Sequence, residues 1–155
     1  MKTKRPVIDI HTDGSFKGNP KVGGYSGVMV SGSHAIVIAG RDDTAKDNDQ
    51  MELQAVLSCL RQVNTPARIH ISSDSQYVVN GINSWSHSWK QNGWKTQKGK
   101  DIAYKETWQE LVELRKDHLV KATWVKGHTK NPTTQAEMSN HACDELAQLA
   151  AEGKL

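Results

Sequence analysis

Apolar and polar residues alternate from residue 7 to 12, with Ile8, Ile10 and Thr12 set against Asp9 and His11. This two-residue period predicts a half-buried strand that runs into a turn at Asp13. Residues 14–24 are rich in Gly and hold Pro20, and they read as a loop. Residues 25–30 and 35–39 read as two further strands joined at Ser31-Gly32-Ser33, so the first three strands form an antiparallel meander. The period then changes. From Asn48 to about Val63, Met51, Val56, Leu60 and Val63 recur at helical spacing, and Pro66 stops the pattern.

Ile69 and Ile71 mark a short strand ending at Asp74, after which Ser75 can cap a helix through Tyr77, Val78 and Ile82. Tyr104, Trp108, Leu111, Val112 and Leu114 predict another helix, and residues 119–125 a last strand. Thr134 with Glu137 three residues later has the form of a capping box, opening a terminal helix with Met138, Ala142, Leu146 and Leu149 on one face. Strand-helix-strand units after a meander imply an α/β fold, because parallel strands need crossovers. The expected architecture is a mixed five-stranded sheet, an antiparallel meander followed by parallel strands, flanked by helices.

A chain of 155 residues fits one domain, expected here over residues 1–155. No apolar stretch approaches the roughly 20 residues that span a bilayer, and no charged-then-apolar signal opens the chain, so a cytoplasmic protein without a membrane partner is expected. Cys59 and Cys143 lie within helical patterns without a Cys-x-x-Cys pair and read as core residues rather than a disulfide or zinc site. The net charge is only +3, but it is unevenly placed. Residues 85–130 carry ten Lys/Arg against five Asp/Glu, which leaves the rest slightly acidic. A cationic segment on an acidic body points to a polyanion at one surface.

Four carboxylates stand in four different settings: Asp13 in Thr-Asp-Gly-Ser, Glu52 in Gln-Met-Glu-Leu, Asp74 in Ser-Asp-Ser-Gln-Tyr and Asp144 in Cys-Asp-Glu-Leu-Ala. Two end short apolar runs and two sit on helical patterns, so a compact α/β fold could bring all four to one point at a sheet edge. Carboxylates with no His-Cys cluster suit a hard divalent ion such as Mg2+. Each also has a local alternative: turn chemistry for Asp13, helix capping for Asp74, an exposed helical charge for Glu52.

The order Asp13, Glu52, Asp74, His128, Asp144, with Gly18-Asn19-Pro20, Gly23-Gly24-Tyr25 and Trp124-Val125-Lys126-Gly127-His128, resembles type 1 ribonuclease H from residue 8 to about 151. The resemblance implies the ribonuclease H-like fold and an endoribonuclease that hydrolyses the RNA strand of RNA/DNA hybrids, leaving a 5′-phosphate and a 3′-hydroxyl. It implies two Mg2+ ions held by Asp13, Glu52, Asp74 and Asp144, with Mn2+ as an alternative, and a proton-moving or product-releasing role for His128. A hybrid-binding module without catalysis and a related nuclease of altered duplex specificity are the rival readings. No separate hybrid-binding domain is expected before Pro6, no obligate protein partner is implied, and a monomer is expected.

Asn19, Asn48 and Gln76 match positions that contact the hybrid's minor groove, where only the RNA strand presents 2′-hydroxyls. Trp85, Trp89 and Trp94 with Lys90, Lys95, Lys98 and Lys100 resemble the basic protrusion that grips the DNA strand. Trp85 and Trp89, four residues apart, are expected to face inward together, with Trp94 the better surface candidate. Two departures stand out. Asp47-Asn48-Asp49 occupies the place of Thr-Asn-Asn or Thr-Asn-Gln, and a negative Asp47 is a poor partner for a DNA phosphate, for which Thr44, Lys46 or Arg41 could compensate. Between His128 and Asp144 the chain carries a longer insert, residues 129–140, with Glu137 and, just beyond it, His141.

Overall fold

The computed structural model describes residues 5–127 and 135–154, with side chains of the last helix from Met138 onward. Strands β1 (Val7–Gly18), β2 (Lys21–Ser31) and β3 (His34–Asp42) form the meander. β4 (Arg68–Ser73) lies parallel to β1, and β5 (Leu119–Trp124) parallel to β4, giving the order β3-β2-β1-β4-β5. This is the mixed five-stranded sheet that the periodicity predicts. The helices are α1 (Asn48–Leu60), α2 (Gln76–Asn80), α3 (Ser86–Gln91), α4 (Lys105–Arg115) and α5 (Gln135–Ala151). A π turn at Gly81–Trp85 joins α2 to α3.

The side chains of β2 show how the layers divide. A Cβ at Gly23 or Gly27 would meet Met51 or Cys59 of α1, whereas Gly24 and Ser26 meet Ala147 and Cys143 of α5. Successive strand residues point to opposite faces, so α1 and α5 cover opposite sides of the sheet. On the α1 side, Ile10, Leu53, Val56, Leu60, Ile71, Trp108 and Leu111 form one buried cluster. Trp108 is completely buried and its indole N–H donates to the Tyr77 hydroxyl at 2.9 Å. Truncating a side chain of this size in a core costs about 3–5 kcal/mol.

Two expectations need correction. Residues 14–18 and 21–24 are strand rather than loop, and the only break is a tight turn at Asn19-Pro20, whose peptide bond is cis. The glycines mark close approach of helices, not a loop: a Cβ at Gly14 would lie 2.5 Å from the Glu52 backbone nitrogen, and one at Gly24 would lie 2.1 Å from the Ala147 carbonyl. The second concerns α5. Its buried residues are Asn140, Cys143, Ala147, Ala150 and Ala151, while Met138 and Leu149 are 46% and 37% exposed. The helix lies so near the sheet at Gly24 and Ser26 that only small side chains fit between them, and the large apolar residues turn outward. The Thr134–Glu137 capping box lies outside the described residues. Ser75 caps α2 as expected, its hydroxyl accepting from Val78 N at 3.2 Å. Cys59 and Cys143 are free and buried.

Candidate active site

β1 outruns its parallel neighbour. Pairing with β4 covers residues 7–11 of β1, and β4 ends at Ser73, so a gap opens beyond the carboxyl end of β4. Crevices outside strand carboxyl ends are where open α/β sheets bind ligands. Asp13 enters this gap from β1, Asp74 from the residue after β4, and Glu52 from the second turn of α1. One carboxylate oxygen from each of the three lies within 4.8 Å of the others. Asp144, on α5, lines the same cleft of about 850 Å³. Its Oδ2 accepts from Gln148 Nε2 at 3.1 Å.

Burial is severe for the two central acids, with Asp13 2% and Glu52 3% exposed. Asp13 Oδ1 accepts from Gly14 N at 2.9 Å, but Asp13 Oδ2 and Glu52 Oε2 are buried with no hydrogen-bond partner among the described residues. Burial pushes both carboxyls well above the ordinary carboxylate range, and the charge of Asp74 pushes them further. Two unsatisfied buried carboxylate oxygens are costly in a metal-free site. A hard divalent cation would satisfy both oxygens and offset the repulsion, so the donor set fits such an ion. The nearby thiol does not compete, because burial pushes Cys143 up to about 12 and keeps it protonated.

The surrounding wall belongs to segments that the sequence left unassigned as well as to those it marked. Asn48 and Gln76 line the cleft, with Lys17, Tyr77, Trp124 and Lys126. Trp124 is 46% exposed, and its indole N–H donates to the Asp74 carbonyl at 3.0 Å. Gly127 allows Asp74 its position, since a Cβ there would fall 2.3 Å from Asp74 Oδ2. Lys17 reaches the rim from the extended end of β1 and pairs with Glu152 at 3.0 Å. The loop reading of residues 14–24 concealed Lys17, while Trp124 and Lys126 stood within a recognised motif without a role. Asn19 is exposed in the β1–β2 turn and does not line the cleft. His128 lies outside the described residues.

The tryptophans are arranged differently from the expectation. Trp94 and Trp89 pack against the core, and Trp85 is 41% exposed. Trp89 sits edge-on to Trp108 at 5.3 Å between ring centroids, and Trp85 leans on Trp89 at 6.0 Å and on Tyr77 at 6.3 Å. A four-residue spacing brings Trp85 and Trp89 together, but the π turn ends at Trp85 and leaves it on the rim. Lys90, Lys98 and Lys100 are exposed, whereas Lys95 is paired with Asp101.

The RNase H family model matches residues 5–152. Among curated proteins, the chain is 42% identical over 147 residues to a ribonuclease H of Aeromonas hydrophila, covering 95% of this chain and 91% of that one. It is 39% identical over 140 residues to a ribonuclease H of Cupriavidus metallidurans, covering 90% and 92%. Among solved structures, LC9-RNase H1, a type 1 RNase H with the type 2 active-site motif, superposes with a TM-score of 0.83 at 27% identity, over 100% of this chain and 76% of that one. LC11-RNase H1, solved in complex with an RNA/DNA hybrid, shares the fold with a TM-score of 0.65 at 17% identity, over 94% and 97%. With sheet order, acid cleft and sequence in agreement over nearly its whole length, the chain belongs to the RNase H family.

Proposed function

We propose that this protein is a metal-dependent endoribonuclease that hydrolyses the RNA strand of RNA/DNA hybrids at the cleft formed by Asp13, Glu52, Asp74 and Asp144. The observation that carries the reading is the convergence of three acids with two unsatisfied buried oxygens, a charge arrangement that fits a cation and has no structural use without one. Asp13, Glu52, Asp74 and Asp144 would hold Mg2+, two ions during turnover, or Mn2+. Bound there, divalent ions supply an activated water and neutralise the phosphate charge of an in-line displacement, leaving a 5′-phosphate and a 3′-hydroxyl.

The protein's own groups do the rest. Asp13 is fixed by the Gly14 N–H and by its place within a paired strand, so its carboxylate is oriented before any ligand arrives. Trp124 fixes the backbone of Asp74 through its carbonyl. Asn48 and Gln76 offer amides at the rim, the donors and acceptors needed to read 2′-hydroxyls in a wide, shallow minor groove. Exposed Lys90, Lys98 and Lys100 supply phosphate contacts of little sequence preference. His128 follows Gly127, which lines the cleft, and we assign it proton transfer or product release. We further propose a single catalytic domain acting as a cytoplasmic monomer, in keeping with one sheet shared by all the strands and two free thiols. No helix among the described residues is long and apolar enough to cross a membrane.

The decisive assay presents one end-labelled RNA alone, paired with RNA and paired with DNA, each with Mg2+, Mn2+ or chelator, beside Asp13→Asn. Metal-dependent cutting confined to the DNA-paired RNA and lost in the variant is expected. Tight binding without cutting would replace the enzyme with a hybrid-binding module.

A further inference from the structure

Between α3 and α4 the chain folds into a small basic hairpin. Ile102 N donates to Trp94 O at 3.2 Å, Lys95 and Asp101 face each other as a β-bridge, and Thr96 N donates to Lys100 O at 2.7 Å. Gly99 N donates to Thr96 O at 2.9 Å and closes the tip. One side of its base is anchored, since Trp94 packs on the core and its N–H reaches Trp89 O at 2.7 Å. The tip presents Lys98 and Lys100, which have no ion-pair partner among the described residues, whereas Lys95 and Lys105 both hold Asp101. The other side buries Ile102, so the base is packed on both strands, and a directional bond is the further fixed point that gives the tip charges a defined place.

Tyr104 supplies that point. Its backbone is left-handed at φ 56, a conformation rare for a bulky side chain and kept only where the surroundings impose it. Its hydroxyl donates to Asp47 Oδ2, 57 positions away in sequence. The other oxygen of Asp47 caps α1, accepting from Gln50 N at 2.8 Å. α1 in turn carries Asn48 and Glu52 into the cleft. Asp47 is therefore engaged at both oxygens, by a helix end and by a phenol. Its negative charge at the rim, unsuited to a phosphate, has a structural use instead.

We infer that the Tyr104–Asp47 bond is a latch that fixes the basic hairpin relative to the cleft, so that Lys98 and Lys100 meet phosphates of the hybrid lying outside it. Tyr104 is thus a positioning residue, and the inference rests on the functional reading above. Binding without cutting isolates it: the affinity of the Asp13→Asn protein for an RNA/DNA hybrid long enough to reach the hairpin is measured by fluorescence anisotropy across a salt series. The Tyr104→Phe change is added to that protein, to its Lys98→Ala/Lys100→Ala derivative, and thermal unfolding checks each fold. Tyr104→Phe is expected to weaken binding about fivefold, the worth of one ordinary intramolecular hydrogen bond, and to flatten the salt dependence. In the derivative lacking both lysines it is expected to change nothing. Unaltered binding, or the same loss without the lysines, would overturn the latch. A parent protein that binds the hybrid no better than single-stranded RNA would overturn the hybrid reading itself and the latch with it.

Discussion

The acid cleft and the basic hairpin are given one substrate by the proposed function but are built on opposite principles. In the cleft, like charges are crowded and buried, with Asp13 and Glu52 nearly inaccessible and two of their oxygens unsatisfied. In the hairpin, charges are exposed, and one acid, Asp101, is already neutralised by Lys95 and Lys105. The cleft stores electrostatic cost that a bound cation or protonation relieves. The hairpin stores almost none, because water screens exposed charges. The contrast separates two tasks: chemistry needs a few groups fixed against their own repulsion, and affinity needs exposed charges held near a polyanion.

The contrast is broken most sharply at Asp13. Asp13→Asn should lower single-turnover cleavage by roughly 10³-fold or more, as expected when a preorganised electrostatic group is removed. The same change should raise the metal-free melting temperature at pH 8, because it removes one member of the repelling set. A lower melting temperature would show that the cleft is not strained by its charge. At the hairpin, Lys98→Ala/Lys100→Ala should raise KM about tenfold with little change in kcat and reduce the salt slope of hybrid binding by about 2. An unchanged slope would remove these lysines from the interface.

The pH response sharpens the comparison further. Asp13 and Glu52 have folded-state pKa values raised by burial, that of Asp13 also by the charge of Glu52, and both by the charge of Asp74. Groups raised in this way contribute stability that is fully present below the unfolded value near pH ~4 and is lost as pH rises through the elevated folded values. The metal-free protein should therefore lose stability from pH 7 to 9 by about 1 kcal/mol or more relative to Asp13→Asn, and Mg2+ should flatten the difference while displacing protons. Melts with chelator and with Mg2+, and calorimetry in two buffers of different ionisation enthalpy, test both halves. The smallest effect is expected at Lys95: Lys95→Ala should change hybrid KM less than twofold, since Asp101 already holds that charge. An effect equal to that of Lys98 would mean the pair opens on binding.

The pattern of apolar residues foretells the five strands and the long helices, and the words around Asp13, Glu52 and Asp74 single out acids that meet in the cleft. Elsewhere it erred for identifiable reasons. Gly14, Gly23 and Gly24 read as loop because a glycine in sequence does not reveal whether it serves a turn or the close approach of a helix. Helical spacing places Met138, Ala142, Leu146 and Leu149 on one face of α5, but spacing does not say which face meets the sheet, and the gap above Gly24 admits Ala147 and its small neighbours. Trp85 and Trp94 exchanged places because helical spacing fixes which residues are adjacent, not which of them meets solvent.

What the sequence by itself determined is local: periodicity, capping residues, and the order of acids that marks the family. Only the tertiary structure decided what depends on distance between remote segments. It brought Asp13, Glu52 and Asp74 together in the gap beyond β4, paired Lys95 with Asp101 across a hairpin, and joined Tyr104 to Asp47. The physical reason is common to all three. Backbone propensity and hydrophobic period act over a few residues, whereas burial, desolvation and ion pairing depend on which surfaces meet after folding.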